Sequence, residues 1–129
     1  MSEELINTLQ SLRNDATRVV VLYEQLAKSD LVALVRSGTE HEVASMQFLT
    51  YPSSGDVQEL PLFTRPEFVL AFEAAEAVSV TVQGNLLWPR LLDIIKTGEC
   101  EAAIDPGQVH GIRLNREMVL GMVSAYVAA

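Results

Sequence analysis

Three sets of side chains in this 129-residue chain have types that could do chemistry: the single cysteine Cys100, the histidines His41 and His110, and the carboxylates Glu99, Glu101 and Asp105. A cysteine acts as a nucleophile through its thiolate, which needs a nearby positive charge or a helix N-terminus. Cys100 is instead flanked by Glu99 and Glu101, and alternation turns it inward beside Ala102 and Ile104. It reads as a small buried hydrophobe. A metal site needs converging ligands, and His41 and His110 stand far apart with no Cys or Asp at ligand spacing. They read as two surface histidines. Paired carboxylates serve glycosidic cleavage when they face each other across a cleft. Glu99, Glu101 and Asp105 lie along one strand face, which splays them and reads as a solvated row. Gly84, Gly98, Gly107 and Gly111 are separate turn residues rather than a phosphate loop, and Ser53-Ser54 lacks the setting of a nucleophile elbow. No catalytic residues, metal or cofactor are expected, and enzymatic activity is disfavoured.

Two short stretches remain as candidate binding residues: Leu62, Phe63, Thr64 and Arg65, and then Asp105, Pro106 and Gly107. Most of the first is explained by a strand ending in a helix start. The Thr64 hydroxyl can accept from the Glu67 N–H while the Glu67 carboxylate returns to the Thr64 N–H, a capping box, with Pro66 tolerated in the first turn. Arg65 alone lacks a structural reason. In the second stretch proline presets φ and glycine supplies positive φ, which is turn chemistry. If both turns met in space, Arg65, Asp105 and His110 could form a small-molecule pocket. The favoured reading is a non-enzymatic protein-interaction surface near Pro61 to Pro66.

The elements that position these residues can be read from periodicity. Over residues 2 to 28, Leu5, Leu9, Leu12, Ala16, Val19, Tyr23 and Leu26 make one helical stripe, interrupted at Asn14-Asp15, where Asp15 can cap a second helix. Ile6, Val20, Val21 and Leu22 widen that stripe beyond a coiled-coil seam, so it is expected to pack on the domain's own sheet. The wholly apolar run from Leu31 to Val35 predicts a buried strand. Segments 46–51 and 57–63 flank a Pro-Ser-Ser-Gly-Asp loop and predict a hairpin. Phe68, Val69 and Phe72 give a short helix its buried side. Val78, Val80 and Val82 alternate with Ser79 and Thr81, a half-buried strand. A helix carrying Leu87, Leu91, Ile94 and Ile95 follows and ends at Gly98, with Trp88 as a core anchor. After the strand through Cys100, a short extended piece near Ile112 leads to Asn115, an N-cap for a last helix with Met118, Met122, Ala125 and Tyr126 on one side. The fold class is α+β. A single domain over 1–129 is expected, with a helical segment at 1–28, a body at 29–129, and a mixed or antiparallel sheet of about five strands.

Composition narrows the function classes. Seventeen acidic against nine basic residues give a net charge of −8, which opposes nucleic acid and anionic lipid surfaces. That charge keeps a 49% hydrophobic domain in solution, or forms an acidic face for a basic protein, the former being favoured. One cysteine excludes an internal disulfide, and the first residues carry no signal-peptide pattern, so a cytoplasmic location is expected. No run is long enough to cross a bilayer. The expected partner is an unidentified protein, a second copy of the chain included, with neither nucleic acid nor membrane.

The helical start, the run from Leu31 to Val35, the segment from Leu60 to Phe68, Gly84 to Leu87 and Ala103 to Gly107 together resemble the SseB N-terminal domain family, named for the bacterial enhanced serine sensitivity protein. The likeness runs from about Leu5 to Val123 and is most specific at Pro61 to Thr64 and Ile104 to Gly107. Family members more often carry Asn where this chain has Asp105. The resemblance implies no catalytic residues, since the family has no established activity. Some members are associated with type III secretion, and no secreted role is carried over. It implies a cytoplasmic interaction domain of bacterial origin.

Overall fold

A computed structural model of the chain describes residues 2–12, 15–36, 38–39, 41–52, 57–70, 77–97 and 100–127. Five helices, α1 (Ser2–Ser11), α2 (Val19–Lys28), α3 (Pro66–Leu70), α4 (Gly84–Thr97) and α5 (Arg116–Met122), surround six strands. The strands are β1 (Asp30–Arg36), β2 (Tyr51–Pro52), β3 (Gln58–Phe63), β4 (Ala77–Gln83), β5 (Cys100–Ile104) and β6 (Ile112–Leu114). They form one mixed sheet in the order β4-β1-β3-β5-β6, with β2 on β3. Among the described residues, only the β3–β5 pair is parallel. The α+β class and the mixed sheet are as expected, with six strands rather than about five.

Alternation sorts each strand into two faces. Leu31, Ala33, Leu60, Leu62, Ala102 and Ile104 enter the main core with Leu5 and Leu9 of α1, Leu22 and Leu26 of α2, Trp88 and Leu91 of α4, and Val119 of α5. Val32, Leu34 and Phe63 point the other way and pack with Phe68 and Val69 of α3. Burial on both faces explains why β1 reads as a continuous apolar run from Leu31 to Val35. Trp88 is fully buried and its indole N–H donates to the Leu26 carbonyl at 2.9 Å, an anchor between α4 and α2.

The N-terminal segment is a helical pair. Asp15 accepts from the Thr17 N–H and hydroxyl, so it caps a 3₁₀ turn (Ala16–Arg18) that leads into α2. Val20 and Val21 do not widen the buried stripe: they are 56% and 39% exposed, because α2 turns Leu22, Leu26 and Ala27 inward instead.

The expected 46–51/57–63 hairpin is mostly absent. Only Tyr51–Pro52 pairs with β3. Residues 47–49 instead fill the half of the β1 edge that β3 leaves open: the Leu49 N–H donates to the Leu34 carbonyl at 3.0 Å, and the Arg36 N–H to Gln47 at 2.8 Å. The predicted loop at 53–56, Phe72, Gly98 and Glu99 lie outside the described residues. Asn115 caps α5 as expected, accepting from the Met118 N–H at 2.9 Å. The last helix buries Val119, Met122 and Val123 and leaves Ala125 exposed, since α5 passes into a π-helical turn over Val123–Val127 that rotates the expected stripe.

Candidate functional site: the Thr64–Asp105 junction

Parallel pairing of β3 with β5, in the register Leu62↔Ile104, makes both strands leave the sheet at one end. Their exits therefore meet. The Asp105 N–H donates to the Leu62 carbonyl at 2.8 Å, extending the ladder one residue past β5. There the backbone turns over: Asp105 has φ +49°, a left-handed conformation that Asp tolerates better than most residues. Its carboxylate is completely buried. One oxygen accepts from the Thr64 N–H at 2.7 Å, and the other accepts from the Thr64 hydroxyl at 2.6 Å and lies 2.7 Å from His110 Nε2. That last contact is a buried hydrogen bond between the carboxylate and the imidazole ring. The His110 ring is tilted against Phe68 with centroids 5.6 Å apart, which connects the junction to α3.

This arrangement revises three expectations. Thr64 forms no capping box, because Asp105 takes both its N–H and its hydroxyl proton; α3 starts at Pro66 with the Phe68 N–H on the Arg65 carbonyl. Asp105 is not part of a solvated carboxylate row. His110 is not a surface histidine, whereas His41 is exposed.

Beyond Asp105 the chain makes the predicted turn. The Gln108 N–H donates to the Asp105 carbonyl at 3.1 Å across Pro106 and Gly107, whose φ of +88° suits a type II turn. At Gly111 a Cβ would stand 2.6 Å from the Asp105 carbonyl oxygen, so the loop closes against the carboxylate's own backbone. Between these braces Val109 is 78% exposed.

Of the candidate binding residues, Leu62 and Phe63 are wholly buried and Thr64 nearly so, which makes them the floor of the junction. Arg65 is one-third exposed and reaches toward Glu3 of α1, Nη2 to Oε1 3.9 Å. Two cavities flank the junction. One of about 480 Å³ is lined by Glu4, Gln25, Lys28, Asp30 and Thr64, and the other of about 310 Å³ by Tyr51, Glu59, Pro106, Gly107 and Arg113. Arg65 and Asp105 line neither. The two turns do meet, and the Asp105 carboxylate is turned inward.

A second polar cluster escaped the sequence reading. Glu59 is 8% exposed within β3, where one oxygen accepts from the Tyr51 hydroxyl and the other from Arg113 Nη1 at 3.3 Å. Burial, and then the Glu59 carboxylate, hold the Tyr51 hydroxyl well above the ordinary tyrosine range. The available signal was a carboxylate inside an otherwise apolar strand, which requires buried partners. Cys100 is half-buried rather than buried, and burial followed by Glu101 pushes its thiol up. That agrees with an unreactive cysteine. Among the described residues, no group of three or more His, Cys, Asp or Glu is placed to hold a metal ion, and no helix is long and apolar enough to cross a membrane.

The family model for the SseB protein N-terminal domain matches residues 3–120. The chain belongs to this family. A comparison with curated proteins finds no match. The matched span takes in both turns of the junction. An Asn in place of Asp105 would keep an acceptor for the Thr64 N–H and the same tolerance of positive φ.

Proposed function

We propose that this SseB-type domain is a non-enzymatic bacterial protein-interaction module of the cytoplasm, presenting the 105–111 loop and Arg65 at one end of the sheet. The observation that carries this reading is the fate of Asp105. Its oxygens are spent at zero exposure on Thr64 and His110, so the most chemically capable residue of the junction serves as a brace. What the brace holds outward is an exposed apolar side chain, Val109, on a loop closed at both ends. A rigid loop loses little entropy on binding, which favours its use as a contact surface. The chain's net charge of −8 favours a partner that carries basic residues. A small-molecule site using Arg65 and Asp105 has less support, because the carboxylate would first have to leave its three partners.

Immobilised full-length chain should retain a stoichiometric partner from bacterial lysate, and Val109→Asp with Arg65→Glu should lose it at unchanged melting temperature. No capture by the wild type, or equal capture by the variant, overturns the reading. A metabolite that raises the melting temperature of the wild type but not of Arg65→Ala would favour the small-molecule alternative.

A further inference from the structure

We propose that β4 is a self-pairing edge, through which two copies of the chain join their sheets antiparallel about a twofold axis at Val80. The direction of the β4 backbone groups follows from the ladder itself. The Gly84 N–H donates to the Ser29 carbonyl at 2.9 Å, and residues 29 and 84 are opposite each other in the register that pairs Asp30 with Gln83. In an antiparallel pair, hydrogen-bonded and non-hydrogen-bonded positions alternate. Val82, Val80 and Val78 therefore bond inward to β1. The opposite edge of β1 agrees, since Leu34 and Arg36 spend their groups on residues 47–49. Ala77, Ser79, Thr81 and Gln83 are left directing their N–H and C=O groups away from the sheet, and none makes a further hydrogen bond among the described residues.

Proteins blunt such edges with charge, proline, bulges or short strands. The other end of the sheet is guarded in this way: β6 has three residues, one of them Arg113. β4 has seven residues, pairs with β1 without a bulge, and carries no charge and no proline. Its side chains are self-complementary. A twofold axis at Val80 sets Ser79 of one copy opposite Thr81 of the other and Ala77 opposite Gln83, all in outward hydrogen-bonding positions. Val78 then faces Val82 on the core side, where Val78 and Val80 are only half-buried in the single chain. A second copy is the occupant this edge fits, because two chains of charge −8 can meet there without placing like charges opposite each other.

The inference does not rest on the 105–111 loop, which follows β5, and Val109→Asp leaves β4 untouched. Sedimentation of the full chain between about 1 and 100 µM should show a monomer–dimer equilibrium. Ser79→Pro and Thr81→Pro, which remove outward N–H groups that β1 does not use, should weaken it at least about tenfold, as should Thr81→Lys at an exposed position. In wild-type protein, amide exchange at Ser79 and Thr81 should slow with concentration while Val80 stays protected throughout. A monomer at about 100 µM overturns the proposal. So does a dimer whose Ser79 and Thr81 amides exchange as fast as in the monomer, or one that all three variants leave intact. A monomer that instead pairs β4 with a strand of another protein also overturns it.

Discussion

Asp105 is the residue on which the junction turns, and its partners allow its contribution to be separated by substitution. Asp105→Ala leaves the Thr64 N–H and hydroxyl without their acceptor and His110 Nε2 without its partner in a buried site, and should cost about 3–5 kcal/mol in urea unfolding. Asp105→Asn keeps one acceptor and gains a donor, and should cost less than half as much. Equal losses for the two would mean that the carboxylate charge, rather than the bonding pattern, holds the turn. Tyr51 gives a prediction with a defined pH direction. Its hydroxyl is harder to ionise in the folded chain than in the unfolded one, so the unfolded chain releases its proton first as pH rises. The stabilisation is thus fully present below about pH 10, the unfolded value, and is lost above it. Alkaline unfolding followed by circular dichroism should begin there, and Tyr51→Phe should lessen the dependence. Cys100 obeys the same electrostatics. With its thiol pushed up by burial and by Glu101, alkylation by iodoacetamide at neutral pH should run slower than that of the urea-unfolded chain. A faster rate in the folded protein would contradict the geometry.

At the scale of elements, Thr64 and Asn115, which both read as helix caps in the sequence, should behave differently. Asn115 is an ordinary N-cap at an exposed position, and Asn115→Ala should cost about 1 kcal/mol. Thr64→Ala removes a bond to a buried carboxylate and should cost more, about 1.5–3 kcal/mol, measured by the same denaturant titration. The contrast shows where sequence reading stopped. Capping, turn and alternation signals act over a few residues, so β1, β4, α4, the Pro106-Gly107 turn and Asn115 were all legible. The bond between Thr64 and Asp105 joins residues 41 positions apart and depends on β3 lying parallel to β5. No local pattern specifies that neighbour relation. Residues 47–49 differ for the same reason: their strand-like composition is real, but they pair with the open half of β1 rather than with β3. Arg65 reaches toward Glu3, from the start of the chain, a neighbour that no local pattern specifies.

For the molecule as a whole, the question is whether the N-terminal helices are an accessory or part of the fold. Leu5 and Leu9 are nearly inaccessible and belong to the same core cluster as Leu114, Val119 and Met122 from the far end of the chain. α1 reaches that core by lying on α2, and α2 is tied to α4 through the Trp88 indole. Removing the α1 side chains should therefore open a cavity inside the common core rather than release a loose arm. Leu9→Ala is expected to cost about 2–5 kcal/mol. The loss should be global: far-ultraviolet circular dichroism, which follows all helices, and Trp88 fluorescence, which follows the α2–α4 contact, should shift to lower urea by the same amount and stay superimposed. Two separated transitions, with the circular dichroism change arriving first, would mean that α1 unfolds on its own while the sheet persists. In that case the single core inferred from burial would have to be divided at the α1–α2 contact.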